Sequence, residues 1–216
     1  MRRTLVSVVL GIAVLALAAC SSTTAAETSS PSTSASVAPS PTATPEPAAL
    51  VLSLHEVEVV DADGATFRTA ELAKGSDVEA LLSDVLGAPA STTHDSAYSF
   101  TSTVWEGLGL SSSDGSSDVS VQFSSDHSGD IALRSSHGVS VGMTRAQVLA
   151  TGAVLDYSYT DDKNVLNEGF VSDRETAAGT TSLTHPGETG SYFLESIVVD
   201  GLVAYVLAPA DDFSDI

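Results

Sequence analysis

The stretch from Tyr192 to Ala208, YFLESIVV, Asp200-Gly201, LVAYVLA, constrains this chain more than any other. Two apolar runs flank an Asp-Gly pair, and glycine there takes the positive φ that a two-residue hairpin turn requires. Both faces of the hairpin are largely apolar, so it has to form the central part of a sheet that is covered on at least one side.

Other runs with period-two alternation supply further strands. Residues 50 to 60 (LVLSLHEVEVV) place Leu50, Leu52 and Leu54 on one phase and Val57 and Val59 on the other. A one-residue change of phase predicts a bulge near His55 or Glu56. The turn Asp61-Ala62-Asp63-Gly64 then leads into ATFRTAEL. Residues 98 to 105 (YSFTSTVW) read as a strand, as do residues 118 to 124 (DVSVQFS), where Val119, Val121 and Phe123 share a face. Residues 131 to 134 (IALR) follow as the continuation of a hairpin.

Two segments carry helix-start chemistry. Thr144-Arg145-Ala146-Gln147 has the spacing of a capping box, with Met143 and Val148 placed as a hydrophobic staple and Gly152 as the stop. Ser76-Asp77-Val78-Glu79 has the same spacing and opens SDVEALLSDVLGAP, in which Val78, Leu81, Leu82 and Val85 recur at helical intervals. The expected class is therefore α+β, an antiparallel sheet with two short capped helices. Each helix precedes a strand-rich stretch, which suggests a tandem helix-plus-strands repeat.

Val141-Gly142-Met143-Thr144-x-x-x-Val148 resembles the G-M-T-x-x-x-V helix start of the β-lactamase-inhibitor-protein-like fold. That motif also occurs in small outer-membrane assembly lipoproteins and in secreted proteins of high-GC Gram-positive bacteria. The resemblance implies short helices paired with antiparallel sheet, sometimes in tandem, and a role in binding other proteins. The first copy here, Gly75-Ser76-Asp77, lacks the methionine.

The N-terminus is a different material. Met1-Arg2-Arg3 precedes an apolar run from Thr4 to Ala19, the pattern of a secretory signal peptide. It ends in Leu17-Ala18-Ala19-Cys20, which resembles the lipobox of bacterial lipoproteins. The resemblance implies cleavage after residue 19 and a diacylglyceryl group on Cys20, the chain's single cysteine. Two acyl chains suffice for stable anchoring at a membrane without a spanning helix. Residues 20 to 49 then form the lipidated end and a tether. From residue 21 to residue 49 it holds 8 Ser, 6 Thr, 7 Ala and 5 Pro with no aromatic residue, too little apolar surface to offset ordering. The globular domain is expected over residues 50 to 216.

The formal charge is −20, and loss of Arg2 and Arg3 would take it to −22. Such a chain repels phosphate backbones and anionic headgroups, so nucleic acid is excluded as a partner and the lipid does the anchoring. Motifs for a zincin helix, a phosphate-binding loop and paired zinc cysteines are all absent. No cofactor or catalytic residue is assigned, and the chain is not expected to be an enzyme. Among the five histidines, His127 and His137 are the one pair that a hairpin and its following loop could bring together. Asp61 with Asp63 resembles part of a calcium loop, but Ala65 and Phe67 stand where further ligands belong. Asp161-Asp162 and the tail DDFSDI are acidic surface. Trp105 lies on a strand face with Ser99, Thr101 and Thr103, and a lone tryptophan among hydroxyls is a candidate anchor for a protein partner. The expected function is a membrane-anchored extracytoplasmic binding or interaction module of the cell envelope. A cation- or small-ligand-binding lipoprotein and an envelope hydrolase remain the alternatives.

Overall fold

A computed structural model describes residues 44–213. The expected signal peptide, Cys20 and most of the tether lie outside the described residues. Among those residues the chain is predominantly β, with two antiparallel-rich sheets and two helices, so the helices weigh less than an α+β class implies.

The first elements are β1 (Ala49–Leu52), β2 (Glu56–Val60) and β3 (Thr66–Glu71). The fold begins slightly before residue 50, since Ala48 N–H already donates to the Val60 carbonyl at 2.8 Å. The phase change after Leu54 is a hairpin and not a bulge: β1 and β2 pair antiparallel with Leu52 opposite Val57. Ser53 N–H donates to the Glu56 carbonyl at 3.0 Å, and the Ser53 hydroxyl accepts from the Glu56 N–H, closing the turn. Between β2 and β3, Asp61 Oδ1 accepts from the Asp63 and Ala65 N–H groups at 3.0 and 2.9 Å. That carboxylate is engaged by its own turn, the local device that aspartate favours in loops.

Helix α1 (Gly75–Leu86) follows and buries Val78, Leu81 and Leu82. Its N-cap is Lys74, with no side-chain capping bond, so Ser76 is an exposed residue within the helix and the expected capping box is absent. The reason is tertiary. Gly75 N–H donates to the Ser117 carbonyl at 2.7 Å, and a Cβ on Gly75 would collide with the Val119 side chain. Close approach to a neighbouring strand fixes this helix start.

The next strands are β4 (Ser91–Asp95), β5 (Phe100–Trp105), β6 (Leu108–Ser113), β7 (Val119–Phe123), β8 (His127–Ser128) and β9 (Ile131–Ser135). β9 does not continue a hairpin with β7. Both sides of β7 are already occupied, by β6 and by the last strand of the chain, so β9 leaves for the other sheet and pairs parallel with β1. The short partner β8 forms its hairpin.

Helix α2 (Arg145–Ala150) has the expected capping box. Thr144 N–H donates to Gln147 Oε1 at 2.8 Å, and the Thr144 hydroxyl accepts from the Gln147 N–H. Arg145 Nε reaches both carboxylate oxygens of buried Glu168 at 2.9 Å and its guanidinium sits 5.4 Å from the Phe170 ring centre. The final strands are β10 (Val154–Thr160), β11 (Leu166–Thr176), β12 (Ser191–Val199) and β13 (Leu202–Asp211).

The smaller sheet runs β3-β2-β1-β9-β8 and the larger β10-β11-β12-β13-β7-β6-β5-β4. The β12–β13 hairpin turns at Asp200 and Gly201, both at positive φ, and lies inside the larger sheet as its apolar faces require. Each helix is followed by a four-strand meander, and the two meanders join through antiparallel β13 and β7. One core cluster takes Leu50, Leu52, Val57 and Val59 from the smaller sheet, the buried side of both helices, and one face of the larger sheet. We call that the inner face. It carries Trp105, Leu108, Val121, Phe123, Phe170, Leu194 and Val206.

Candidate functional site

The opposite, outer face of the larger sheet is the candidate site. Strand alternation sends the residues between the core positions there. Cross-strand register then sets them in rows. One row joins Tyr157, Gly169, Ile197 and Tyr205, and the next joins Tyr159, Asn167, Val199 and Leu202. Across the seam, Thr93, Ser102, Ser111 and Ser120 form a hydroxyl row. Tyr159 is 56% exposed, Leu202 50% and Tyr205 39%, so the tyrosine rows are open to solvent. In a chain of charge −20 these rows contain no ionisable carboxyl or basic group.

Two register shifts shape one end of this face. The β10–β11 pairing shifts between Leu155 and Tyr157, and the β11–β12 pairing shifts between Ser172 and Arg174. A bulge re-aims side chains. Here it turns Asp156 to the same side as Tyr157, where Asp156 pairs with Arg174. Arg174 also lies 3.7 Å from Asp212 and stacks 5.1 Å above the Phe193 ring centre. Phe193, Val171 and Ala210 form a small cluster of their own, apart from the main core. Beside them Glu195 is only 5% exposed. Burial pushes its carboxyl above the usual range, Asp156 adds to the rise, and a hydrogen bond from Tyr157 opposes it. The Tyr157 phenol is raised as well, by its own burial first and then by the Glu195 charge.

Trp105, expected as an exposed anchor, is on the inner face and 3% exposed. Its Nε1–H donates to the Gly87 carbonyl at 2.9 Å, satisfying a carbonyl at the end of α1 that the helix leaves without a partner. Thr103 is buried with it. Alternation correctly put the two on one face, but that face is the covered one. The outer-face residues that sequence reasoning passed over, Tyr157, Tyr159 and Tyr205, lie on strands interrupted by bulges. The signal present for β10 and β11 was the turn between them: Asp161 Oδ1 accepts from Lys163 and Val165 N–H at 2.9 and 2.8 Å, with Asn164 at positive φ, repeating the device at Asp61.

The histidines have separate partners. His137 Nε2 lies 2.7 Å from Asp173, and His127 pairs with Asp126 at 3.2 Å. Among the described residues no group of three His, Cys, Asp or Glu is arranged to hold a metal. His94 meets both the Thr101 hydroxyl, at 3.3 Å, and Asp114, at 3.7 Å, through the same Nδ1. A ring engaged through one nitrogen does not relay a proton from hydroxyl to carboxylate. A groove of about 420 Å³ beside β10 is lined by His137, Thr151, Asp156, Asp173 and Arg174. Its charges are already paired with one another. Cys20 lies outside the described residues.

Comparison with protein families, with curated sequences and with solved structures finds no match to this chain.

Proposed function

We propose that this chain is a lipid-anchored extracytoplasmic binding module, held at a membrane through Cys20, that presents the outer face of its larger sheet to a protein partner in the cell envelope. The observation that carries the reading is the pair of open tyrosine rows and the hydroxyl row on that face, which carry no charged residue on an otherwise acidic body, with the paired Asp156 and Arg174 at one end. An acidic surface elsewhere discourages nonspecific association, and aromatic residues supply contact area at low entropic cost. The lipobox-like Cys20 and the Ser/Thr/Ala/Pro tether support placement outside the cytoplasm at a distance from the bilayer. The finer fold reading, two related helix-plus-meander units of the β-lactamase-inhibitor-protein-like kind, is supported by the order of elements in the larger sheet.

Site-specific photo-crosslinking in intact cells tests the binding role. A crosslinker at Tyr159 or Tyr205 should give one discrete protein adduct, and one at Asp63, on a turn of the smaller sheet, should give none. Equal labelling from all three positions, or none from the tyrosine positions, rejects the surface. The anchor is tested separately with Cys20→Ala and a labelled fatty acid: the native chain should incorporate label, and labelling of the variant rejects the anchor.

A further inference from the structure

We propose that Glu195 is held as a neutral carboxylic acid beneath Tyr157, and that loss of its proton loosens the tyrosine platform on the outer sheet face. The inference deepens the binding reading of that face and rests on it for its biological meaning.

The geometry begins with two orphaned atoms. Glu195 Oε1 and Asp156 Oδ2 are buried and have no hydrogen-bond partner. An ionised carboxylate only accepts, so two neighbouring carboxylates leave both oxygens without a donor. A proton on Glu195 adds a donor to the cluster and removes one of two like charges from a site shielded from water.

Glu195 has neighbours on three strands. From β10 come Asp156 and Tyr157. From β11, Val171 stands directly opposite, Gly169 lies two pairs along on the same face, and Arg174 is engaged by Asp156 and Asp212. From β13, Leu207 stands opposite, with Tyr205 two pairs along on the same face. Arg174 is therefore the one cation of these neighbours, and its charge is already met by two carboxylates. Burial acts most strongly in the direction of a retained proton and Asp156 acts with it, against the opposing hydrogen bond from Tyr157.

The coupling to the surface is steric. A Cβ on Gly169 would lie 2.7 Å from Glu195 Oε1 and would collide with the Tyr157 ring. The Glu195 carboxyl is thus held between a bare stretch of backbone and an aromatic lid. An ionised Glu195 gains solvent by displacing that lid. Tyr157 stacks on Tyr159, with ring centres 6.2 Å apart and planes 24° from parallel, so displacing one ring disturbs the platform.

The test uses the full-length chain in detergent micelles, with ¹³C at glutamate side-chain carboxyls and tyrosine rings, followed by NMR from acid to alkaline pH. The Glu195 signal is assigned by its loss in Glu195→Asp and Glu195→Gln, so one poorly folded variant does not remove the assignment. The expected result is a Glu195 midpoint above that of the exposed glutamates in the same sample. Tyr157 and Tyr159 ring signals should move at the same midpoint and stay flat across that range in Glu195→Gln. A Glu195 midpoint among the exposed glutamates overturns the proposal, and so does a raised midpoint that the ring signals ignore. No partner is present, so this outcome is independent of the crosslinking result.

Discussion

The ring of Tyr157 occupies the space that a side chain on Gly169 would need. The two residues face each other across β10 and β11, and the ring covers a glycine that would otherwise leave a gap in the sheet. Glycine inside a strand ordinarily weakens it, and alanine is the usual improvement. Here the sign reverses. Gly169→Ala should destabilise the fold by about 1–3 kcal/mol, the usual cost of overpacking. Urea unfolding followed by circular dichroism measures it, and a gain in stability would contradict the arrangement.

Trp105 is the single tryptophan, so its fluorescence reports one place. Buried at the end of α1, it should emit at short wavelength and resist acrylamide quenching until the chain unfolds. Trp105→Phe keeps an aromatic ring but leaves the Gly87 carbonyl without its donor. The bond is half-buried, so its loss should cost about 0.5–1.5 kcal/mol. Thermal unfolding of the variant checks this, and ready quenching of the native protein would place the ring elsewhere.

The two helix starts should respond differently to the same change. Thr144→Ala removes a capping box and should cost about 1 kcal/mol. Ser76→Ala touches no capping bond and should stay within about 0.5 kcal/mol of the native chain. Matched denaturant midpoints separate the pair.

Stability should fall with rising pH in a window set by Glu195. Its carboxyl is raised in the folded chain, so the native state binds more protons than the unfolded state between the ordinary carboxylate value and the raised one. That contribution is fully present below the unfolded pKa and is lost as pH rises through the folded one. Glu195→Gln, which stays neutral, should flatten this part of the profile and unfold later than the native chain at alkaline pH. Denaturant midpoints across the pH range give the comparison, and parallel profiles would refute it.

Tyr159→Ala and Tyr205→Ala remove exposed rings. Their melting temperatures should move by only a few degrees, while the crosslinking yield from the outer face should drop about tenfold or more, as for aromatic interface residues. Loss of stability without loss of adduct would make these rings structural.

The sequence alone determined what short-range chemistry fixes. Asp200-Gly201 turns a hairpin because two successive residues need positive φ, and the apolar faces beside it require an interior position. Thr144 and Gln147 cap α2 because three-residue spacing brings each side chain to the other's backbone. The turn at Asp61 follows from an aspartate that bonds its own loop. Tertiary structure decided the rest. Alternation showed that Trp105 and Thr103 share a face, but which face meets the core depends on the helices packed against it. The change of phase after Leu54 reads equally as bulge or turn until β1 and β2 are seen to pair. The start of α1 depends on the approach of Val119 to Gly75, residues that are neighbours only once folded. The bulges at Asp156 and Asp173 bring Asp156, Arg174, Glu195 and Tyr157 onto one face from three strands. No local pattern encodes that grouping, because register between strands distant in sequence is set by packing of the whole sheet.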